Sequence, residues 1–330
     1  MMNGGEVLLM SDKLLRLKKN TIIRNMCVQT NFLSDQLIQP IFISDKLNDK
    51  KRIPGLGENY VFNLNDAIKQ IESDIKNNCR NFLLFLISSE KKDFDFNLSF
   101  HTKAISEIKK IFKDDIFLWS DVCLCSMTTH GHCCIFNEKQ NIDIKKSLSS
   151  LSKIAVTYAD SGVDGIAPSD MMDGRTNKIR LALDENNHEF IPIMSYSSKF
   201  ASNFYGPFRH AADSAPSFGD RKHYQLDYRN KNDALRASKR CANEGADLLM
   251  VKPGLYSLDL IQPINNLTGL MVGAYQVSGE YAGIQLASDN NLLKLNEGLF
   301  ESWHVMKRAG AQFIITYGAR KSKELGFSVK

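Results

Sequence analysis

The chain has 330 residues, of which 43% are hydrophobic and 24% are charged, and its formal net charge is +5. This composition is typical of a soluble globular protein with room for one large α/β domain or two smaller ones. The lysines are scattered and form no basic block interleaved with aromatic residues, so the charge argues against nucleic-acid binding. No apolar run approaches the ~20 residues of a membrane span, and the N-terminus lacks a signal-peptide core and cleavage site, so we expect a cytoplasmic protein that does not bind membranes.

Residues 1–35 precede the first apolar run and have no place in a repeating pattern of strands and helices. We predict that they form an N-terminal extension. Extensions of this kind commonly pack on another subunit, which would make residues 1–35 an oligomerisation arm, and the alternative is a loose tail.

Eight short apolar runs follow in chain order. They cover residues 38–43, 81–87, 116–124, 163–170, 190–197, 247–253, 270–277 and 311–318. Nearly continuous apolar content is typical of strands that are buried on both faces, and most of the runs are separated by stretches with helical periodicity. Strands and helices are therefore predicted to alternate.

A glycine corner recurs where a helical pattern meets an apolar run, at Gly162, Gly245 and Gly310. Glycine at this position ends a helix in the left-handed conformation without steric strain. Eight βα units, with no glycine-rich dinucleotide motif after the first run, favour a closed barrel over an open sheet. We predict an α/β protein in which residues 36–330 form a single (β/α)8 TIM barrel, the catalytic domain.

Two lysines, Lys199 and Lys252, stand where an apolar run meets a polar loop. In a barrel of this kind the chemistry belongs at the carboxyl ends of the strands. A lysine there is partly desolvated, and a second cation nearby lowers its pKa further, towards the neutral amine that attacks carbonyl groups. Arg209 and Arg221 lie between the two lysines and suit a carboxylate, because guanidinium binds carboxylate in a bidentate fork. One such lysine is easily a chance position, but the pair in this context predicts a keto acid as substrate.

Further polar residues also fall at predicted strand ends. They are Asp121, Ser169, Asp170, Ser195, Gln276, Ser278 and Tyr317. A packed core would have apolar residues at these ends, so their placement predicts that they converge on one site.

Four of the seven cysteines lie between residues 123 and 134. Cys123 and Cys125 would point to the same side of a strand, and Cys133 can return from the following loop. Thiolate and imidazole are ligands that zinc prefers, and three protein ligands leave a fourth position open, as in catalytic zinc sites. Cys134 or one of the two nearby histidines would instead close the site as a structural one.

These motifs together resemble the porphobilinogen synthase family, also called 5-aminolevulinate dehydratase. The matching segments are DVCLC with HGHC, APSDMMDGR, SYSSKFASNFYGPFR, FGDR with YQLD, GADLLMVKPG, YQVSGEYA and IITY. They occur in the family's order from residue 121 to residue 317, and as a set they are specific to this enzyme. The N-terminal third is similar only through LIQPIFI and RIPG.

The resemblance implies a hydro-lyase of tetrapyrrole and heme biosynthesis that condenses two molecules of 5-aminolevulinate, with loss of two waters, into porphobilinogen. Lys252 matches the lysine that forms a Schiff base with the first-bound substrate, and Lys199 matches the lysine that binds the second. Zinc on the three cysteines would bind or polarise the second substrate.

The resemblance also assigns the substrate carboxylates. Ser278 and Tyr317 would hold the carboxylate of the first substrate, and Arg209 and Arg221, with Gln225 nearby, that of the second.

Supporting roles are implied for a further group of residues. Asp121 and Ser169 would assist proton transfer. Residues 200–225 would form a lid that excludes water, and its Tyr205 and Phe208 would line the substrate site.

The family commonly assembles as a homo-octamer gripped by N-terminal arms, and some members bind an allosteric magnesium ion at a position that matches Asp233. The alternative for Asp233 is an exposed aspartate that complements a helix dipole. The chain departs from the family pattern at His210, where an aspartate is usual, in the residues that follow Tyr317, and in its lysine-rich arm.

Two other classes of function compete with this interpretation. A class I aldolase also uses a barrel lysine but does not need a cysteine triad. A zinc-stapled barrel that has lost activity is the second alternative, and retention of both lysines and both arginines argues against it.

Overall fold

The computed structural model describes residues 14–327, which fall into two compact units that divide between Asn31 and Phe32. In the first unit, α1 (Thr21–Met26) follows a 3-10 turn. The side chain of Asn20 accepts a hydrogen bond from the backbone N–H of Ile23 at 3.0 Å and so caps this helix.

The second unit alternates strands and helices. In chain order it contains β1 (Leu37–Ser44), β2 (Lys51–Arg52), β3 (Tyr60–Phe62), α2 (Leu64–Lys76), β4 (Asn81–Ile87), α3 (Ser99–Phe112), β5 (Phe117–Val122), α4 (Ile144–Asp160), β6 (Gly165–Pro168), α5 (Arg175–Glu185), β7 (Met194–Lys199), α6 (Gly206–Ala211), α7 (Lys231–Asn243), β8 (Leu248–Lys252), α8 (Leu258–Thr268), β9 (Met271–Tyr275), α9 (Ser278–Asp289), α10 (Leu295–Arg308) and β10 (Ile314–Ile315).

Eight of the strands in the described part of the chain pair in parallel, in the order β6, β5, β4, β1, β10, β9, β8, β7. A parallel bridge between Ile166 and Ile193 joins the two outer strands, and the Ile166 N–H donates to the Pro192 carbonyl at 3.0 Å. The sheet is therefore closed, and the predicted (β/α)8 barrel is confirmed. The short strands β2 and β3, which the apolar runs did not predict, lie in the connection after β1.

The core of the barrel follows from the apolar runs. Every residue of β1 is buried, as expected for a strand covered on both faces. The three glycine corners have the positive φ that the pattern predicted, +97° at Gly162, +96° at Gly245 and +106° at Gly310. A side chain would be strained at these angles, so glycine lets each preceding helix turn directly into the next strand.

The bounds of β7 differ from the predicted run at both ends. β7 covers 194–199 where the run covered 190–197, and its pairing with β8 shifts between Ser195 and Ser198. This irregularity carries the strand on to Lys199. Across residues 14–327, moreover, no helix combines the length and the apolar character that crossing a membrane requires.

Candidate active site

Lys199 and Lys252 are the last residues of two neighbouring strands, β7 and β8, and they are paired in the sheet register. Both side chains are buried, at 5% and 3% exposure. The Lys199 ammonium donates to the Ser169 carbonyl at the end of β6. The register of two parallel strands therefore sets two amines side by side at the carboxyl end of the barrel, as the sequence predicted.

Aromatic rings surround the Lys252 amine. Its Nζ lies 4.0 Å from the ring centroid of Tyr275, 4.9 Å from Phe208, 5.0 Å from Tyr196 and 5.3 Å from Tyr205. Tyr196 and Tyr275 were not among the predicted site residues, and the signal for them was an aromatic residue near the carboxyl end of a predicted strand. The rings exclude water from the amine.

The electrostatic setting of Lys252 favours the neutral amine. Burial lowers the pKa of Lys252 well below its usual range, and the nearby charge of Lys199 lowers it further. Asp121 opposes this shift, and so do the aromatic faces, which attract the cation. The lowered pKa gives Lys252 the lone pair that attack on a carbonyl carbon requires.

Asp121, on β5, faces both amines. Burial raises the pKa of this carboxyl to about 6, while Lys199, the Ser169 hydroxyl and Lys252 act in the opposite direction. A carboxyl group that titrates near neutral pH can accept and return a proton, which is the behaviour expected of a general acid or base.

Three thiols lie together beside the amines. The sulfur atoms of Cys123, Cys125 and Cys133 are all within 4.8 Å of one another, and those of Cys123 and Cys125 are 3.3 Å apart. Hydrogen bonds from the other two thiols, with the charge of Arg221, hold the pKa of Cys133 well below its usual range against the effect of burial. Close, buried thiols with one prone to ionise are a donor set that fits zinc.

The neighbouring histidines are engaged elsewhere. The two ring nitrogens of His132 lie 3.1 Å from the Tyr224 hydroxyl and 2.9 Å from the Phe218 carbonyl. His130 accepts a hydrogen bond from the His132 N–H at 3.0 Å. Among the described residues, the group that could hold a metal ion consists of the three thiols without Cys134.

Ser278 and Tyr317 are both fully buried. Ser278 begins α9, where its hydroxyl accepts the Phe208 N–H at 3.0 Å and lies 3.3 Å from the Phe204 carbonyl. The Tyr317 hydroxyl is 3.4 Å from that of Tyr275. Residues 204 and 208, in the segment predicted to be a lid, therefore contact Ser278 directly.

The lid carries the two arginines. The guanidinium of Arg221 is buried and donates to the Gly131 carbonyl at 2.8 Å and to the Ser214 carbonyl. Arg209 is half-buried, and burial followed by the charge of Arg221 lowers its pKa. Two guanidinium groups that repel each other form a site that an anion would stabilise.

Gln225 and Asp213 show how the lid meets the barrel. Both polar atoms of the buried Gln225 amide lack a hydrogen-bond partner among the described residues, which is rare for a buried amide and marks it as available to a ligand. Asp213 is paired with Lys46 at 2.8 Å and Lys91 at 2.9 Å, from the connections after β1 and β4. These ion pairs latch the lid to the rim of the barrel.

Tyr205 reaches the site through its ring. Its hydroxyl donates to the Phe200 carbonyl at 2.7 Å and lies 3.1 Å from the Lys252 carbonyl. Phe208 packs edge-on against Phe85 at 5.0 Å. These two lid residues are therefore placed as walls around Lys252.

Asp233 lies away from this group, in the first turn of α7. Its carboxylate is 3.6 Å from Arg236 and 3.3 Å from the Asn230 amide. Magnesium at this position stays a prediction, as does any effect of His210, which is exposed on the lid.

Fold and site together define a (β/α)8 barrel enzyme whose site offers buried lysine amines, a thiol metal site and arginines for an anionic substrate. The chain belongs to the delta-aminolevulinic acid dehydratase family, whose family model matches residues 11–325. This confirms the resemblance seen in the sequence. The members of the family are lyases, so the chain is assigned to that class of enzyme.

Named relatives agree with this assignment. The chain is 40% identical over 313 residues to delta-aminolevulinic acid dehydratase of Staphylococcus aureus, covering 94% of this chain and 97% of the relative. It is 39% identical over 309 residues to that of Methanothermus sociabilis, covering 93% and 96%. The Toxoplasma gondii ME49 enzyme, solved in complex with the reaction product porphobilinogen, matches with a TM-score of 0.92 at 33% identity over 96% of this chain and 92% of that one.

Proposed function

We propose that this protein condenses two molecules of 5-aminolevulinate, with loss of two waters, into porphobilinogen. The observation that carries the proposal is the pair of buried lysines, Lys199 and Lys252, in register on adjacent strands. Two amines side by side suit a reaction that joins two keto acids. The product named for the Toxoplasma gondii relative supports the same chemistry.

The first substrate forms a Schiff base with Lys252. The neutral amine attacks the ketone carbon, a carbon–nitrogen bond forms, and the carbonyl oxygen leaves as water. Ser278 and Tyr317 hold the carboxylate at the other end of this substrate. The aromatic walls keep water away from the imine, which water would otherwise hydrolyse.

The second substrate is bound through Lys199, and its carboxylate is held by Arg209 and Arg221. The two guanidinium groups repel each other until the carboxylate arrives, so binding the anion relieves an unfavourable interaction. The unpartnered amide of Gln225 offers it further hydrogen bonds.

Asp121 and Ser169 serve the proton transfers between the two imines. With a pKa raised to about 6, Asp121 is mostly ionised at neutral pH and can take a proton from a carbon made acidic by an imine. Zinc bound by Cys123, Cys125 and Cys133 would act as a Lewis acid towards the second substrate.

The organisation of the protein follows the family. Residues 1–35 serve as an oligomerisation arm of a homo-octamer, and residues 36–330 form the catalytic barrel. The arm has apolar residues to bury, since Ile22 and Met26 are 82% and 73% exposed. The carboxylate of Asp233 would hold an allosteric magnesium ion, as in some members of the family. The protein works in the cytoplasm, which supplies the reducing conditions that its free cysteines require.

The test combines turnover with trapping. Purified protein given 5-aminolevulinate should form a pyrrole detected by a colour reaction, and borohydride should trap substrate on Lys252, located by peptide mass spectrometry. Lys222, an exposed lysine of the lid, should carry no adduct. Trapping with aldol products but no pyrrole would favour an aldolase, and the absence of both trapping and turnover would favour an inactive barrel.

A further inference from the structure

A buried carboxylate joins the two loops that follow β8 and β9. Glu280, in the first turn of α9, accepts the N–H of Val277 at 2.6 Å and that of Leu255 at 2.8 Å. The backbone N–H groups of Gly254 and Tyr256 also lower the pKa of this carboxyl. The carboxylate therefore binds backbone donors from both loops at once.

The surroundings of Glu280 are otherwise unfavourable for a charge. The side chain is 5% exposed, and burial raises the pKa of its carboxyl to about 7 against the opposite effect of backbone N–H groups. A buried charge is expensive unless hydrogen bonds satisfy it. Capping α9 alone would explain the bond to Val277 but not the bond to Leu255.

The two joined loops carry the groups assigned to the first substrate. Lys252 comes three residues before Leu255, and Ser278 follows Val277 directly. The loops also touch through the backbone, because the Gly254 N–H donates to the Tyr275 carbonyl at 2.7 Å. A Cβ at Gly254 would lie 2.9 Å from that same oxygen, so the loops approach as closely as the backbone allows.

We propose that Glu280 is a positioning residue that fixes the span between the Lys252 amine and the Ser278 hydroxyl. This inference rests on the proposed function. The first substrate has a ketone and a carboxylate separated by a fixed length of chain, so its two ends must meet the amine and the hydroxyl simultaneously. A misplacement of ~1 Å can reduce a rate ~100-fold, and Glu280 acts on the reaction through this distance without touching the substrate.

The test asks whether variants of Glu280 still discriminate between keto acids of different chain length. Borohydride trapping on Lys252 is compared for 4-oxopentanoate, which has the spacing of 5-aminolevulinate, and 5-oxohexanoate, which is longer by one methylene. The wild type should trap the shorter acid preferentially. In Glu280→Gln, an amide N–H₂ group faces the backbone N–H donors, so the two loops separate and the preference for the shorter acid should fall by at least tenfold. Glu280→Asp keeps the charge and should reduce the preference less.

A matched control is Glu297→Gln, in the first turn of α10, where the carboxylate is 71% exposed and paired with Lys294 at 2.9 Å. This variant should keep the wild-type preference. A Glu280→Gln variant that traps both acids less but in the wild-type ratio would overturn the proposal, because a purely stabilising residue affects both equally. If that variant does not fold, Glu280→Asp decides in the same way: a reduced preference supports the proposal and an unchanged one overturns it.

A failure of the proposed function can be distinguished from a failure of the role proposed for Glu280. Wild-type protein that forms no pyrrole from 5-aminolevulinate but discriminates between the two keto acids would leave the role of Glu280 in place, with a different reaction at the same lysine.

Discussion

Replacing either of the two lid arginines should weaken binding of the second substrate and leave binding of the first substrate unchanged. Arg209 and Arg221 are assigned to the same carboxylate, and a charge-assisted hydrogen bond contributes about 1.5 to 3 kcal/mol. Arg209 is half-buried, so solvent screens it and the lower end applies, which corresponds to roughly a tenfold loss of kcat/KM. Arg221 is buried and also donates to the Gly131 and Ser214 carbonyls, so its removal loosens the lid as well and should cost about 3 kcal/mol, roughly a hundredfold.

The assay is borohydride trapping of 5-aminolevulinate on Lys252 alongside pyrrole formation. Arg209→Ala should lower kcat/KM for pyrrole formation roughly tenfold yet keep trapping, because the first substrate contacts neither arginine. Ser278→Ala should show the reverse and weaken trapping itself. Arg229→Ala is the matched control, since Arg229 is exposed and paired with Asp227 outside the site.

The reasoning would be refuted if Arg209→Ala lost Lys252 trapping as severely as turnover while Ser278→Ala trapped normally. That result would mean that Arg209 binds the carboxylate of the first substrate and that Ser278 does not. Arg209→Lys refines the outcome, because lysine keeps the charge but lacks the fork and should recover only part of the loss.

Three further predictions concern the metal, the lid and pH. Chelation should abolish pyrrole formation reversibly with the protein still folded by circular dichroism, and zinc should restore it; full activity of zinc-free protein, or unfolding on chelation, would contradict a catalytic site at Cys133 and its neighbours. Asp213→Asn removes two partly exposed ion pairs worth about 1 kcal/mol together, so hydrogen exchange in residues 203–221 should rise up to about fivefold, and unchanged exchange would rule out the latch. The pKa of Glu280 is raised from 4.5 to about 7 by burial, so the folded state holds its proton more tightly than the unfolded state does. Between pH 4.5 and 7 the wild type should therefore lose about 3 kcal/mol of unfolding free energy relative to Glu280→Gln, and urea unfolding at several pH values would contradict this if the difference stayed constant.

The fold was predictable because each strand is a separate, continuous apolar run, and because glycines such as Gly245 mark the junctions. The boundaries were less predictable where pairing decides them. The last strand is only Ile314–Ile315, although the apolar run extends over 311–318. Residues 312, 313 and 316 still make single hydrogen bonds to the neighbouring strands, as from the Thr316 N–H to the Ile38 carbonyl at 3.0 Å, but not the repeated pairing that defines a strand. The extension of β7 to Lys199 depends on an irregularity in the ladder that no local pattern encodes.

The site was predictable as far as strand ends determine it. Lys199, Lys252 and Asp121 converge because parallel strands all end on one side of a barrel. The sequence could not show that His132 binds Tyr224 and the Phe218 carbonyl instead of a metal, because these partners are about 90 residues away in the chain. Glu280 was overlooked for a related reason. A carboxylate in the first turn of a helix normally caps its own helix, and the second hydrogen bond of Glu280, to Leu255 in the loop after β8, is visible only in three dimensions.

The pairing of Lys199 with Lys252 across the β7 and β8 ladder also bears on how far such a sequence can diverge. Parallel strands lie about 4.8 Å apart, a spacing set by main-chain hydrogen bonds that every amino acid can make. The separation of the two amine anchors is therefore inherited from the backbone, and changes in the outer helices leave it intact. The chain differs from the Staphylococcus aureus relative at about 60% of aligned positions, as the 40% identity implies, and a spacing fixed by main-chain hydrogen bonds does not depend on which side chains change.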